Sequence, residues 1–147
     1  DEDYFAHQEE IDLCWRVKNL GYTINYIGDS VVYHVGGATL NSVNPRKTYL
    51  NFRNSLFSIV KNIPTRNLFF ILILRLILDG FAGLQFIFTL KPKHMLAIIK
   101  AHLSFYVNLP KLIKKRKQVK QIGNYHQHKS IIWQYYVLGK KKFSELR

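Results

Sequence analysis

Residues 4–16 read YFAHQEEIDLCWR, which sets the carboxylates Glu9, Glu10 and Asp12 among aromatic residues, with Arg16 one helical turn after Asp12. A carboxylate in the first turn of a helix can serve as a general base that takes a proton from an attacking hydroxyl. The same residue types also make an ordinary acidic helix start, which the helix dipole favours without any chemistry. Asp12 and Arg16, four apart, have the spacing of an ion pair. Two other positions could carry chemistry. His34 ends an apolar run just before Gly36-Gly37, a strand-end position that suits a metal ligand or a structural histidine. Arg46, Lys47 and Arg53 gather in the next loop and helix, as cations that neutralise a diphosphate or as a solvated basic surface.

The elements that must position these residues follow from periodicity. Ile11, Cys14, Trp15 and Val17 to Leu20 give a broad apolar face, so a helix is expected over 8–20, stopped by Gly21. The alternation of Tyr22, Ile24 and Tyr26, the turn residues Gly28-Asp29-Ser30 and the apolar run Val31 to Val35 predict two short strands. A polar loop then leads to a second helix at about 47–62, with Tyr49, Phe52, Leu56 and Ile59/Val60 on one face and Pro64 beyond its end.

Composition bounds the class. The chain has 147 residues, 48% of them hydrophobic and 14% aromatic, which is enough for a core and argues against disorder. Its net charge of +13 is uneven: residues 1–40 hold seven acidic and two basic side chains, residues 41–147 two acidic and twenty basic. That asymmetry points to an anionic partner for the second part, a membrane surface or phosphate groups. Cys14 is the single cysteine, so no intrachain disulfide forms and a reducing compartment fits. The opening Asp1-Glu2-Asp3, without an initiator methionine, suggests a piece of a longer polypeptide.

Residues 68–90 are almost wholly apolar but carry Arg75 and Asp79. Their sixteen Leu, Ile and Phe residues contribute about −5 to −10 kcal/mol to membrane insertion, against about +5 to +7 kcal/mol for the two charges. The balance is marginal, and the segment fits a span, an in-plane helix or a packed one. Residues 93–108 are plainly amphipathic, with Met95, Ile98, Leu103 and Tyr106 opposed to Lys93, Lys100 and Asn108. The basic run KLIKKRKQVK at 111–120 follows, an arrangement suited to an anionic leaflet. Nucleic acid binding is not expected, because these basic residues interleave with long aliphatic runs and lack stacking or groove-reading motifs.

The ordered motifs FAHQEEIDLCWR, a Gly-Tyr helix end, VVYHVGGATL and YLNFRN resemble the C-terminal part of the catalytic domain of family-2 glycosyltransferases, particularly bacterial rhamnosyltransferase-like members. The resemblance covers about residues 1–62 and extends loosely through the hydrophobic, basic tail. It implies an α/β fragment: residues 1–64 as the C-terminal portion of a GT-A, Rossmann-like catalytic domain, and residues 65–147 as a mostly helical, membrane-associating tail. By the same resemblance Glu10 matches the base of inverting transfer, with Glu in place of the usual Asp, and Glu9 flanks it. Asp12 and Arg16 match supporting positions. His34 matches a histidine near the metal and diphosphate, and Arg53 an arginine with a possible diphosphate contact. The implied cofactor is a divalent cation, Mg2+ or Mn2+, with its main ligands outside these residues, since no Asp-x-Asp metal motif occurs in a nucleotide-binding half here. The implied partners are a nucleotide-sugar donor, a glycan or lipid-linked acceptor and an anionic membrane surface, at the cytoplasmic face of the inner membrane. Such a piece is expected to be inactive by itself. A non-catalytic membrane-surface or scaffold module is the competing expectation.

Overall fold

The computed structural model describes residues 1–33, 43–118, 120–123 and 131–146, with only the backbone of residues 132 and 143. A 3-10 turn at Glu2–Tyr4 leads to α1 (Glu9–Asn19), α2 (Pro45–Asn62), α3 (Thr65–Phe88), α4 (Pro92–Arg116), the short α5 (Ile131–Tyr136) and a second 3-10 turn at Phe143–Glu145. No strand is present among the described residues, which overturns the expectation of an α/β, Rossmann-like GT-A fragment.

The physical reason lies in residues 22–33. The turn forms, with the Ser30 amide donating to the Ile27 carbonyl, but the flanking segments find no ladder partner. Tyr26 and Tyr33 are 93% and 95% exposed, so neither apolar run gains the burial that would fix an extended pair. Residues 34 and 35 of the expected second strand lie outside the described residues. The helices, by contrast, satisfy their backbones locally and need only one packed face each.

Their ends carry recognisable chemistry. After α1, Gly21 adopts φ 89°, its amide donates to the Lys18 carbonyl and the Tyr22 amide donates to Val17, a Schellman stop that a residue with a side chain would strain. The Asn44 side chain accepts from the Arg46 amide at 2.9 Å and Pro45 occupies the first turn, starting α2 two residues before the expected 47. Arg116 closes the other end of α2, its Nη1 donating to the carbonyls of Val60 and Ile63 at 2.7 and 2.6 Å. Helix α4 runs straight through the basic cluster, so that Lys111, Lys114, Lys115 and Arg116 are helical.

The core joins the two ends of the chain. Tyr4, Leu56, Phe57 and Val60 pack with Phe105 and Leu112, and Leu68, Leu72, Leu76 and Leu109 close over them. Helices α2 and α4 form the most extensive helix contact, with α1 against α2 and α3 against both α2 and α4. The core draws side chains from both sides of residue 64. Helix α3 is apolar outward as well as inward, where Leu68, Leu72 and Leu76 meet the core. Its buried stripe holds Asp79 and Gly83, while Phe69, Phe70, Ile73, Leu74, Ile77, Leu78 and Phe81 are exposed. Asp79 sits between Arg75 at 2.6 Å and His102 of α4 at 3.0 Å.

Candidate active site

The acidic stretch enters α1 through a backbone that most residues avoid. Phe5, His7 and Gln8 have φ of 62°, 69° and 70°, each costing about 1 kcal/mol or more in the left-handed region. Two side chains of the YLNFRN motif hold it there. Asn54 is fully buried, and its Nδ2 donates to the carbonyls of Tyr4, Ala6 and His7 at 3.0, 2.9 and 2.8 Å. Arg53 Nη2 donates to the carbonyls of Asp3 and Tyr4 at 2.9 and 3.2 Å, and its Nε to Asn54 Oδ1 at 2.9 Å. The Arg53 guanidinium also lies over the rings of Tyr49 and Phe57, both about 5.2 Å away. In this structure Arg53 holds the lead-in backbone.

The three carboxylates then part company. Asp12 is completely buried. Its Oδ1 accepts from Tyr4 Oη, Lys61 Nζ and Asn62 Nδ2 at 3.1, 2.8 and 2.9 Å, and its Oδ2 from Arg16 Nε at 2.8 Å. Burial works to raise the Asp12 carboxyl, but these donors and the Lys61 charge outweigh it and hold the group below the usual carboxylate range. The Lys61 ammonium is pushed down as well: its own burial, with Arg16 and Lys115 nearby, exceeds the attraction of Asp12. Burial and the Asp12 charge drive the Tyr4 phenol far above its ordinary range, so it stays a neutral donor. The expected Asp12–Arg16 pair is thus one edge of a larger buried network.

Glu9 and Glu10, in contrast, are exposed on the first turn of α1. Glu10 borders a shallow, open cleft of about 390 Å³ whose other walls are Ile11, Cys14, Trp15 and Lys18. The helix start is fixed, and the Glu10 carboxylate faces outward beside a largely apolar surface, where a docked group could reach it.

Other acidic residues are occupied elsewhere. Asp1 meets Lys61 and Lys115, each at 2.6 Å, and Asp3 meets Lys111 and Lys115 at 2.6 and 2.8 Å. Two lysines of the basic run at 111–120 therefore clamp the N-terminus onto α4. Spacing did not mark Tyr4, Asn54, Lys61 and Asn62, or Ser58, which shares a 3.0 Å hydrogen bond with Tyr4 Oη, as builders of this site; the signal for most of them was the polar residues recurring on the otherwise apolar face of α2. His34 lies outside the described residues, and among those described no three His, Cys, Asp or Glu side chains converge as a donor set for a divalent cation.

Compared with known protein families, curated proteins and solved structures, the chain matches none.

Proposed function

We propose that this chain is the acceptor-side, membrane-apposed portion of an inverting glycosyltransferase that moves a sugar from a nucleotide-sugar donor to a glycan or lipid-linked acceptor in bacterial surface polysaccharide synthesis. The observation that supports it is the division among the carboxylates: Asp12 is buried under four donors while Glu10 stands exposed beside the cleft. The reading rests on that division and on the order of the motifs, and not on a sheet. In this role Glu10 accepts the proton of the acceptor hydroxyl as its oxygen bonds to the anomeric carbon, and the nucleoside diphosphate leaves from the opposite face. Asn54 and Arg53 keep the turn that presents Glu10, and the Asp12 network anchors the helix behind it. The nucleotide-binding half belongs, on this reading, to the rest of a longer protein.

The membrane part of the proposal follows from α3. It is the one helix among the described residues long and apolar enough to cross a bilayer, and only 11% of its most apolar window is buried, unlike the core helix of a soluble protein. Yet α3 is tied to α4 through Asp79 and His102, and α4 is tied to α2 along its length. A crossing α3 would have to leave Asp79 without His102 or carry α4 into the bilayer with Lys100 exposed near its middle, at about 3 kcal/mol for that charge alone. Lying in the interface avoids both costs. The outward faces of α3 and α4 then meet the acyl region while Lys93, Lys100 and Lys114 reach the headgroups. We place this contact at the cytoplasmic face of the inner membrane.

The test is sugar transfer by the full-length protein carrying Glu10→Gln. The expected result is a fall of about a hundredfold or more, the usual worth of a general base, with helix content unchanged. A rate within about twofold of wild type would reduce Glu10 to a helix-start residue and overturn the catalytic reading. In that event the exposed apolar face of α3 favours the second reading, a non-catalytic membrane-surface module, whose signature is vesicle binding without transfer.

A further inference from the structure

Some of the charges of this protein are matched inside it. Lys61, Lys111 and Lys115 meet Asp1, Asp3 and Asp12, Arg16 meets Asp12, and Arg75 meets Asp79. One place differs. Between the start of α2 and the first half of α4 lies a groove of about 390 Å³, lined by Arg46 and Tyr49 from one helix and Lys93, Leu96, Ala97 and Lys100 from the other. All three cations are exposed, none makes an ion pair among the described residues, and no acidic side chain lines the groove. Arg46 is held from behind, its guanidinium 5.0 Å over the ring of Phe5 in the fixed lead-in to α1. Lys93 and Lys100 are seven apart on α4 and so project from one side of it, two turns from each other.

The floor gives the second half of the ligand. Leu96 begins an exposed apolar stripe that continues through Ile99, Leu103 and Tyr106, beside the uncovered face of α3. A molecule filling the groove meets three positive charges at one end and an aliphatic track at the other. We infer that this groove binds the phosphate headgroup of a membrane lipid, with the lipid tail along the α4 stripe. Three unpaired cations favour a head with more than one negative charge, a phosphomonoester over a singly charged phosphodiester. The inference deepens the membrane part of the proposed function and rests on it; it adds a headgroup preference that a merely basic surface lacks, because a diffuse field responds to charge density alone.

The experiment uses the full chain and vesicles of phosphatidylcholine doped with phosphatidic acid or with phosphatidylglycerol, adjusted to equal surface charge. The wild-type chain is expected to bind phosphatidic acid vesicles about tenfold more tightly than the matched phosphatidylglycerol vesicles. The variant Arg46→Gln/Lys93→Gln/Lys100→Gln is expected to lose that preference. A control with the same charge change outside the groove, Lys114→Gln/Lys117→Gln/Lys120→Gln, is expected to bind both vesicles more weakly and keep the preference. All six substitutions fall on exposed side chains, and circular dichroism checks that the helices remain. Equal binding of the two vesicle types by wild type, or a preference that survives in the groove variant, overturns the proposal while leaving membrane association standing. Absence of binding to every vesicle overturns both, and transfer by the Glu10→Gln protein still decides the catalytic reading separately. Groove-dependent binding of inorganic phosphate, strong enough to erase the vesicle preference, would make the ligand a free phosphate and overturn the lipid assignment.

Discussion

Replacing Asp12 by asparagine keeps the shape of the side chain and removes its charge, which makes it a direct probe of the buried network. The amide oxygen of the replacement can still accept from Tyr4 and Asn62, but Lys61, with a side chain only 5% exposed, loses one of its two carboxylates. Breaking a buried pair from one side costs about 3–5 kcal/mol, because the remaining charge is left in a poor solvent. Asp1 still faces Lys61 at 2.6 Å, which places the expectation at the low end, about 3 kcal/mol. For a chain of this size that is a fall of roughly 6–12 °C in Tm. The assay is urea unfolding at neutral pH followed by circular dichroism. Lys61→Met in the same background removes the stranded ammonium and is expected to recover about 1–2 kcal/mol, so the two changes are strongly non-additive. A loss below about 0.5 kcal/mol for Asp12→Asn, or simple additivity with Lys61→Met, would refute the reasoning.

Acid should find the same network. The Asp12 and Asp3 carboxyls are held below their ordinary 3.8 in the folded chain, so their contributions are fully present above that value and are lost as pH falls through the lower folded values. The urea midpoint is therefore expected to be flat from neutrality to about pH 5 and to drop below about pH 4. Asn54→Ala should cost about 2–3 kcal/mol and speed amide exchange at residues 5–9, since the carbonyls of Ala6 and His7 lose the Asn54 amide and that of Tyr4 keeps only Arg53 and the Ala6 amide. Phe57→Ala, which opens a cavity beneath Tyr4, should cost about 3–5 kcal/mol in the same unfolding assay. Lys111→Ala should cost less than about 1 kcal/mol by that measure, because its pair with Asp3 is formed by a side chain that is 55% exposed.

The readable parts of the fold were those set by local rules. The stop at Gly21 and the Asp12–Arg16 spacing involve residues within a few positions of one another, and the helices at α1, α2 and α4 announce themselves by period, though the Asn44 cap starts α2 earlier than the expected 47. The network around Asp12 was not readable: Lys61 and Asn62 stand about 50 positions away, and nothing in spacing links them. The strands failed for a related reason. The alternation Tyr22, Ile24, Tyr26 describes a strand only if another strand and a covering layer exist, and among the described residues these side chains stay in solvent. Arg53 shows how one residue type serves opposite ends. A cation near Arg46 and Lys47 suits a diphosphate by sequence, yet its guanidinium is taken up by the carbonyls of Asp3 and Tyr4. Arg46 remains exposed and unpaired by any acid among the described residues. The apolar run of α3 and the Arg75–Asp79 spacing were legible as a long apolar helix with an internal pair, but the contact of Asp79 with His102, 23 positions later, was not.

On the proposed function two nearby carboxylates do different work, Asp12 holding the helix and Glu10 taking the proton. This division is tested by measuring transfer rate and urea midpoint together for Glu10→Gln and Asp12→Asn in the full-length protein. Glu10→Gln is expected to keep the wild-type midpoint and lose about a hundredfold or more in rate, while Asp12→Asn lowers the midpoint. A Glu10→Gln protein that transfers sugar at close to the wild-type rate would contradict the proposed division.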